Sequence, residues 1–292
     1  MASNETTFRN FRWENLHALA GLQQSNDADV ERWLRQPNLQ PERDCILAFA
    51  GGTLIGYAYL IVETALSRGA LILGTRDDAG ASVSRALQNK ATVAATDLGL
   101  SVLHIDVAEA DSVARLLCEE SAMRHIRTHH HMRRDGTNPV AVKMPAGATT
   151  RLATKEDIVV LTELQNTAFT GSWGYAANTE DEIEYRIFEL PTETPDPVVL
   201  LEIDGHLVGY CWTHRDAPTS PGIVGMVGVW PDQQGRGYGK VITGKGINHL
   251  LDMGAKPIEI TVDSENPSAI GVYENVGFTL DWRSFWYELS LH

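Results

Sequence analysis

Residues 225–251 read G-M-V-G-V-W-P-D-Q-Q-G-R-G-Y-G-K-V-I-T-G-K-G-I-N-H-L-L, and the fold turns on how this stretch is read. Met226, Val227 and Val229 make an apolar strand that reaches a turn at Trp230, Pro231 and Asp232. Glycines follow at 235, 237 and 239, and an amphipathic segment then runs to Gly254. A strand, a glycine turn and a helix in that order leave the first-turn N–H groups without intrahelical acceptors, at the positive end of the helix dipole. Such a place suits a phosphate, and glycine lets the anion approach the backbone.

Three phosphate motifs compete for the stretch. The dinucleotide pattern G-x-G-x-x-G has a different spacing from the G-x-G-x-G found here. Residues 239–245 match G-x-x-x-x-G-K, but Gly246 stands where a magnesium-binding Ser or Thr is required, and the stretch reads as helix interior. What remains is Q-x-x-G-x-G, carried by Gln234, Gly237 and Gly239 directly after a strand. This resembles the acyl-CoA pyrophosphate loop of the GCN5-related N-acetyltransferase (GNAT) superfamily. A second signature agrees with it: N-x-x-A-x-x-x-Y-x-x-x-G-F is matched by Asn266, Ala269, Tyr273, Gly277 and Phe278. Asn before Pro267 is also a strong helix start on its own terms.

The resemblance implies acetyl-CoA as co-substrate, no metal, and a set of residues to hold it. Val227, Gly228 and Val229 would offer backbone groups to the pantetheine arm, and an N–H there would polarise the thioester carbonyl. Gln234, Gly235, Arg236, Gly237, Tyr238, Gly239 and Lys240 would surround the diphosphate. Arg236 and Lys240 are open between diphosphate, ribose 3′-phosphate and plain solvated charge. Asn266 would contact the CoA arm. Tyr273 would face the sulfur and protonate the departing thiolate, which suits a phenol whose ordinary pKa near 10 keeps it protonated at neutral pH.

Composition bounds the rest. The chain has 292 residues, 43% hydrophobic and 21% charged, with a formal net charge of −14. That is a globular composition with ample core, and its acidity argues against nucleic acid while accommodating a small amine-bearing substrate. Cys45, Cys118 and Cys211 are odd in number and lack C-x-x-C spacing, which favours a reducing cytoplasmic setting. The first twelve residues have no apolar leader, and the apolar run 45–62 is broken by Gly51, Gly52 and Gly56 into a hairpin rather than a membrane span. Oligomeric state is not legible.

The chain also repeats itself. Asp97-Leu98-Gly99 and Asp252-Met253-Gly254 lie 254 − 99 = 155 residues apart. The same offset pairs the alternating strands 103–107 and 258–262, and pairs Asp111 with Asn266 as caps of the next helix. At a slightly shorter offset, Leu54-Ile55-Gly56-Tyr57 matches Leu207-Val208-Gly209-Tyr210. Each half opens with two helical stretches (14–24 and 27–35; 154–169 and 179–190, the last stopped by Pro191). The expected fold is α/β: two tandem GNAT-like domains, each a mixed, mostly antiparallel sheet with splayed central strands and helices on both faces. The boundary falls in the Pro- and Gly-bearing stretch 136–147, giving a degenerate domain at 1–140 and an acetyl-CoA-binding domain at 148–292. A tandem pair whose second copy carries the motifs is similar to the mycothiol synthase family, which acetylates the cysteinyl amine of a pseudodisaccharide thiol.

The first half has lost the chemistry. At the shared offset Gln234, Gly237 and Gly239 become Ala79, Ser82 and Ser84, and Tyr273 becomes Cys118, while Gly80 survives opposite Gly235. The general base is unassigned. The resembling family carries a glutamate on the strand ahead of V-G-V, and the matching position here is Ile223; His214, Asp216 and Glu202 are the nearby alternatives. His129-His130-His131 cannot all face one metal if they lie on a strand. Trp173 and Tyr175 either line the acceptor pocket or cap the core. The reading is an N-acetyltransferase acting on a primary amine by direct attack in a ternary complex. Its rival is a non-catalytic acyl-CoA-binding or scaffold protein.

Overall fold

The computed structural model describes residues 5–37, 39–190, 196–215, 217 and 219–291, so Pro191 and Asp216 lie outside the described residues. Contacts group the chain into two units, 1–127 with 284–292, and 128–283. The stretch 136–147, where a boundary is expected, carries no strand or helix.

The first unit opens with β1 (Thr6–Asn10), α1 (Leu16–Leu22), α2 (Asp27–Leu34) and α3 (Pro41–Asp44). The apolar run then forms a hairpin of β2 (Cys45–Ala50) and β3 (Thr53–Glu63), turned by Gly51 and Gly52 at φ +55° and +84°. Next come β4 (Arg68–Thr75), α4 (Ala81–Asp97), β5 (Val102–Ala108) and α5 (Ser112–Glu120). Asp111 caps α5 by accepting from the Ala114 N–H at 2.9 Å. The sheet runs β1-β2-β3-β4-β5 and continues into the end of the last strand, β12 (Thr279–Ser290). Residues 284–290 of β12 lie antiparallel to β5, with Tyr287 in the core of this unit beside Leu103, Ile105 and Cys118. The apolar face of that segment ties it to the first unit: Phe285 and Leu289 pack on the same cluster.

The second unit contains residues 128–134 of β6 (Arg124–Arg134), then β7 (Ala148–Leu152), α6 (Ile158–Phe169), α7 (Glu180–Glu184), β8 (Val198–Ile203), β9 (His206–His214), β10 (Gly222–Val229), α8 (Tyr238–Asp252), β11 (Ile258–Asp263) and α9 (Pro267–Asn275). Its strand order is β6-β11-β10-β9-β8-β7, antiparallel except for β10 against β11. A box closes the start of α6: Asp157 Oδ2 accepts from the Thr154 N–H at 2.8 Å, and Arg151 donates to both Asp157 oxygens at 2.7 Å. One face of the sheet packs on α8 and α9 through Cys211, Val224, Ile258, Ile260 and Val262. The other packs on α6 and α7 through Tyr210 and Trp212, meeting Leu161, Leu164 and Ile183.

Both halves repeat one contact. Gly228 is directly opposite Tyr210, and a Cβ there would enter the Tyr210 ring; Gly74 is directly opposite Tyr57, where a Cβ would come 2.6 Å from the ring. The duplication is therefore recorded in packing as well as in sequence. Among the described residues no helix is long and apolar enough to cross a membrane.

Candidate active site

The centre of the second unit is a gap. Parallel pairing of β10 with β11 covers only Gly222–Ile258, Ile223–Glu259 and Val224–Ile260. Past that point the β10 ladder slips at Gly225, between Val224 and Met226, and Met226 to Val229 pair with β9 alone. An extra residue on one strand bends it, and here the bend takes β10 away from β11. The β11-facing backbone of residues 226–229 is left as a row of donors and acceptors for an extended ligand. Val227 is half-buried on the α8 face, Val229 is buried, and Gly228 sits beneath Tyr210.

The glycine loop stands at the open end of that gap. A short 3-10 turn, Pro231–Gln233, leads to Gln234, whose Nε2 donates back to the Val229 carbonyl at 3.2 Å and ties loop to strand. Gly235 and Gly237 adopt φ +76° and +82°, which L side chains avoid, and Gly237 is the residue preceding α8. Among the described residues the backbone N–H groups of 235–240 meet no protein acceptor, and the first helical bond into the loop is Val241 N–H to the Gly237 carbonyl at 3.2 Å. A Cβ at Gly235, Gly237 or Gly239 would meet nothing within 4 Å. Six free donors around open space at a helix N-terminus fit a diphosphate by donor chemistry and by room. Tyr238 packs partly on the core, while Arg236 and Lys240 are exposed; Arg236 makes a 3.5 Å bond to the Asp232 carbonyl. Gly244 and Gly246 serve packing instead: a Cβ on the first would press Val142 and on the second Cys211.

Tyr273 lies in α9, 9% exposed, within the α8-face core. Asn266 begins that helix by accepting from the Ala269 N–H at 3.1 Å, so its side-chain oxygen is engaged in capping. The Tyr273 ring meets Phe278 edge-on at 6.2 Å. Burial, and then the neighbouring Cys211, raise the phenol above its ordinary pKa, so it stays protonated well past neutral pH. Its hydroxyl makes no hydrogen bond to a described residue.

The corresponding place in the first unit is differently equipped. Pairing of β4 with β5 also stops early, at Leu71–Ile105, and Gly80 precedes α4 at φ +76°. The turn, however, carries Asp77 and Asp78, the latter paired with Arg76, where an anion would be repelled. The Ser84 hydroxyl lies 3.4 Å from that of Thr75. Cys118 is buried, and burial followed by Glu119 and Asp111 pushes its thiol up to about 12.

The remaining sequence candidates scatter. Glu202 is bonded to Arg151 at 2.8 Å and belongs to the Arg151–Asp157 network at the start of α6. His214 Nδ1 lies 2.6 Å from Asp196 Oδ1, and Asp196 Oδ2 accepts from Trp212 Nε1 at 2.8 Å. Sequence reading did not find Asp196, because sixteen or more residues and a strand separate it from its partners. His129 meets Trp173 edge-on, while His131 stacks on Trp282 at 3.4 Å and lies 3.1 Å from the Thr261 hydroxyl. Tyr175 donates to Asn166 Oδ1 at 2.7 Å and stacks on Phe169. Among the described residues no group of three or more His, Cys, Asp or Glu is assembled to hold a metal.

A splayed parallel pair, a helix-opening glycine loop and a buried protonated tyrosine define a CoA-dependent acyltransferase of the α/β class. Residues 158–278 match the Acetyltransferase (GNAT) family. The mycothiol acetyltransferase of Streptomyces avermitilis is 32% identical over 237 residues, covering 80% of this chain and 75% of its own. In fold, the chain is similar to a tandem GNAT protein from the clavulanic acid biosynthesis pathway, at TM-score 0.79 and 17% identity over 99% of each chain. It is also similar to a GCN5-related N-acetyltransferase from Sphaerobacter thermophilus, at TM-score 0.75 and 17% identity over 98% and 96%. The chain belongs to the GNAT family and is a GNAT-type N-acetyltransferase with the tandem fold; acetyl-CoA is the family's co-substrate.

Proposed function

We propose that the second half of this chain moves an acetyl group from acetyl-CoA to a primary amine of a small molecule by direct attack in a ternary complex. The observation that carries the reading is the presence of three features in one unit: the unpaired edge of residues 226–229, the free N–H groups of 235–240, and Tyr273 buried in the core on which Val227 and Tyr238 also pack. Residues 226–229 hold the extended arm, 235–240 with Arg236 or Lys240 hold the phosphates, and an N–H of residues 227–229 bears on the thioester oxygen. A donor aimed at a developing oxyanion contributes about 3–4 kcal/mol in comparable sites. Tyr273 gives its proton to the departing sulfur.

The segments 1–140 and 148–292 are proposed as the two evolutionary copies, the first without turnover. The acidic turn at Asp77 and Asp78 supports that assignment. A cytoplasmic setting is supported by three buried, unbridged cysteines. The test is acetyl-CoA-dependent acetylation of a panel of cysteinyl amides, amino sugars and arylalkylamines, followed by product mass and CoA release. Tight acetyl-CoA binding without transfer to any amine would favour the rival, a binding protein without turnover.

A further inference from the structure

We propose that Arg134 is a positioning residue for acetyl transfer: its buried guanidinium ties the C-terminal end of α9 to the stretch after β6, and through that stretch to α8, which holds Tyr273 where it can give up its proton. The inference rests on the acetyl-transfer reading above, in which Tyr273 is the acid.

Tyr273 stands where a short helix is weakest. α9 has 9 residues, too few for stability on its own, and Tyr273 is in its last turn. The start of the helix is secured by Asn266 and Pro267. At the other end a helix leaves its last carbonyls without partners. The chain satisfies two of them itself. The Val276 and Phe278 N–H groups donate to the Tyr273 carbonyl at 3.1 Å, and the Gly277 N–H donates to the Glu274 carbonyl at 3.1 Å. Paired bonds of this kind, with the Phe278 ring against Tyr273, close a helix on a residue of positive φ, here Gly277 at +96°. The next carbonyl, of Val276, accepts from Arg134 Nε at 3.0 Å.

Arg134 reaches that carbonyl from the end of β6. It is directly opposite Ile258 of β11, and opposed residues project to one face, so Arg134 points to the α8–α9 side, where Ile258 is in the core. The residue is 8% exposed and, among the described residues, meets no carboxylate. Its partners are three backbone carbonyls: Val276 through Nε, Asn138 through one terminal nitrogen at 2.6 Å, and Gly136 through the other. A cation beside the end of α9 also meets the negative end of the helix dipole. A Cβ on Gly277 would come 3.3 Å from Arg134 Nε, so that glycine serves the approach of the guanidinium as well as the turn. The far side of the grip is anchored on α8. Two residues beyond Asn138, the Val140 N–H donates to Asn248 Oδ1 at 2.7 Å, and Asn248 Nδ2 donates to the Val140 carbonyl at 3.0 Å. Residues 136–140, which read as a spacer between the copies, therefore strap the helix bearing Tyr273 to the helix behind the glycine loop.

A buried cation destabilises a fold unless its donors are used, and here the planar fork uses them to fix three carbonyls at once. Proton transfer to the departing sulfur needs donor and acceptor within hydrogen-bond reach, and a misplacement of about 1 Å costs about 10²-fold in rate. Without the fork, the last turn of α9 keeps its own bonds and Tyr273 its packing on Phe278, but the turn can shift against α8. The residues assigned to acetyl-CoA, 226–229 and 235–240, make no bond to Arg134, so affinity should be spared.

The test uses the full chain with acetyl-CoA and three probes, S-methylcysteine amide, glucosamine and tyramine. Kd for acetyl-CoA by calorimetry and single-turnover transfer at saturating acetyl-CoA are compared for wild type, Arg134→Met, Arg134→Lys, Tyr273→Phe and the two double variants. The expected result for Arg134→Met is a roughly 10- to 10²-fold fall in rate with Kd within about twofold. Arg134→Lys, which keeps a cationic donor beside the end of α9, regains part of the rate. In the Tyr273→Phe background either Arg134 substitution should lower the rate by less than about twofold further, because no proton remains to be placed, whereas a merely structural role would exact its full loss in both backgrounds. If Arg134→Met gives no cooperative melt, Arg134→Lys carries the same cycle. Additive losses, a loss of acetyl-CoA affinity that accounts for the loss of rate, unchanged transfer in the folded Arg134 variants, or failure of both to fold overturns the inference and leaves the acetyl-transfer reading standing. Wild type that binds acetyl-CoA and acetylates none of the three probes, or Tyr273→Phe with unaltered transfer, overturns the acid reading and the inference with it.

Discussion

Replacing Gly239 by glutamate separates a glycine kept for a ligand from a glycine kept for the fold. Gly239 is the second residue of α8, its backbone is helical, and a Cβ there meets nothing within 4 Å. Glutamate has a better helix propensity than glycine by about 0.6 kcal/mol, and an acid in the first turn gains a further ~0.3–1 kcal/mol from the dipole. Folded stability should therefore rise by about 1 kcal/mol, seen as a Tm increase of about 2–3 °C. Binding should respond in the opposite sense. A carboxylate about 4 Å from a phosphate charge costs ~4 kcal/mol at an effective dielectric of 20, and solvent at this half-open loop reduces that to about 2–3 kcal/mol. The acetyl-CoA Kd should weaken roughly 30- to 150-fold, and the penalty should shrink with added salt. Calorimetric titration and a thermal melt of the same preparation read both numbers. Gly21→Ala, another helical glycine with open space around it, serves as the control that stabilises without touching affinity. An unchanged Kd in a stabilised Gly239→Glu would refute the phosphate cradle, and a lowered Tm would show that the glycine serves packing.

Tyr273→Phe keeps the ring against Phe278 and removes only the hydroxyl, so single-turnover acetyl transfer should fall about 10²–10⁴-fold with little change in acetyl-CoA Kd. Cys118→Ala at the matching place in the first unit should leave transfer unaltered, and equal effects of the two would return Tyr273 to a packing role. Asp157 is held at about 2, first by Arg151 and then against burial by the Thr154 N–H. Its folded pKa is depressed, so its contribution is complete above the ordinary carboxylate pKa near 4 and is lost as pH falls through 2. Asp157→Asn should cost about 2 kcal/mol in urea melts at pH 7 and almost nothing near pH 2; a pH-independent cost would sink the ion-pair account. Gly228→Ala and Gly74→Ala should each destabilise by roughly 1–3 kcal/mol, since a methyl group in either place presses a tyrosine ring. A neutral result at one position would break the packing equivalence of the two halves.

Local sequence was enough for the elements that carry their own geometry. Alternating apolar residues at 258–262 specify a strand with one buried face, Gly51-Gly52 specifies a hairpin turn, and Asn266-Pro267 and Asp111 specify helix starts; each is a short-range effect of period, φ or capping. The glycine loop was legible for the same reason, because positive φ at 235 and 237 admits few residues other than glycine. The 155-residue offset made the tandem fold readable, since two copies must satisfy the same burial pattern. Tertiary structure alone decided which distant groups meet. It placed Tyr287 of the last strand in the core of the first unit, took the side chain of Glu202 into the Arg151 network, and brought Asp196 to His214 across a strand pair. It also set where the parallel pairing of β10 and β11 ends, which depends on a one-residue slip at Gly225. Register and ion-pair partners are settled by packing summed over many side chains, and no local stretch of the chain contains that sum.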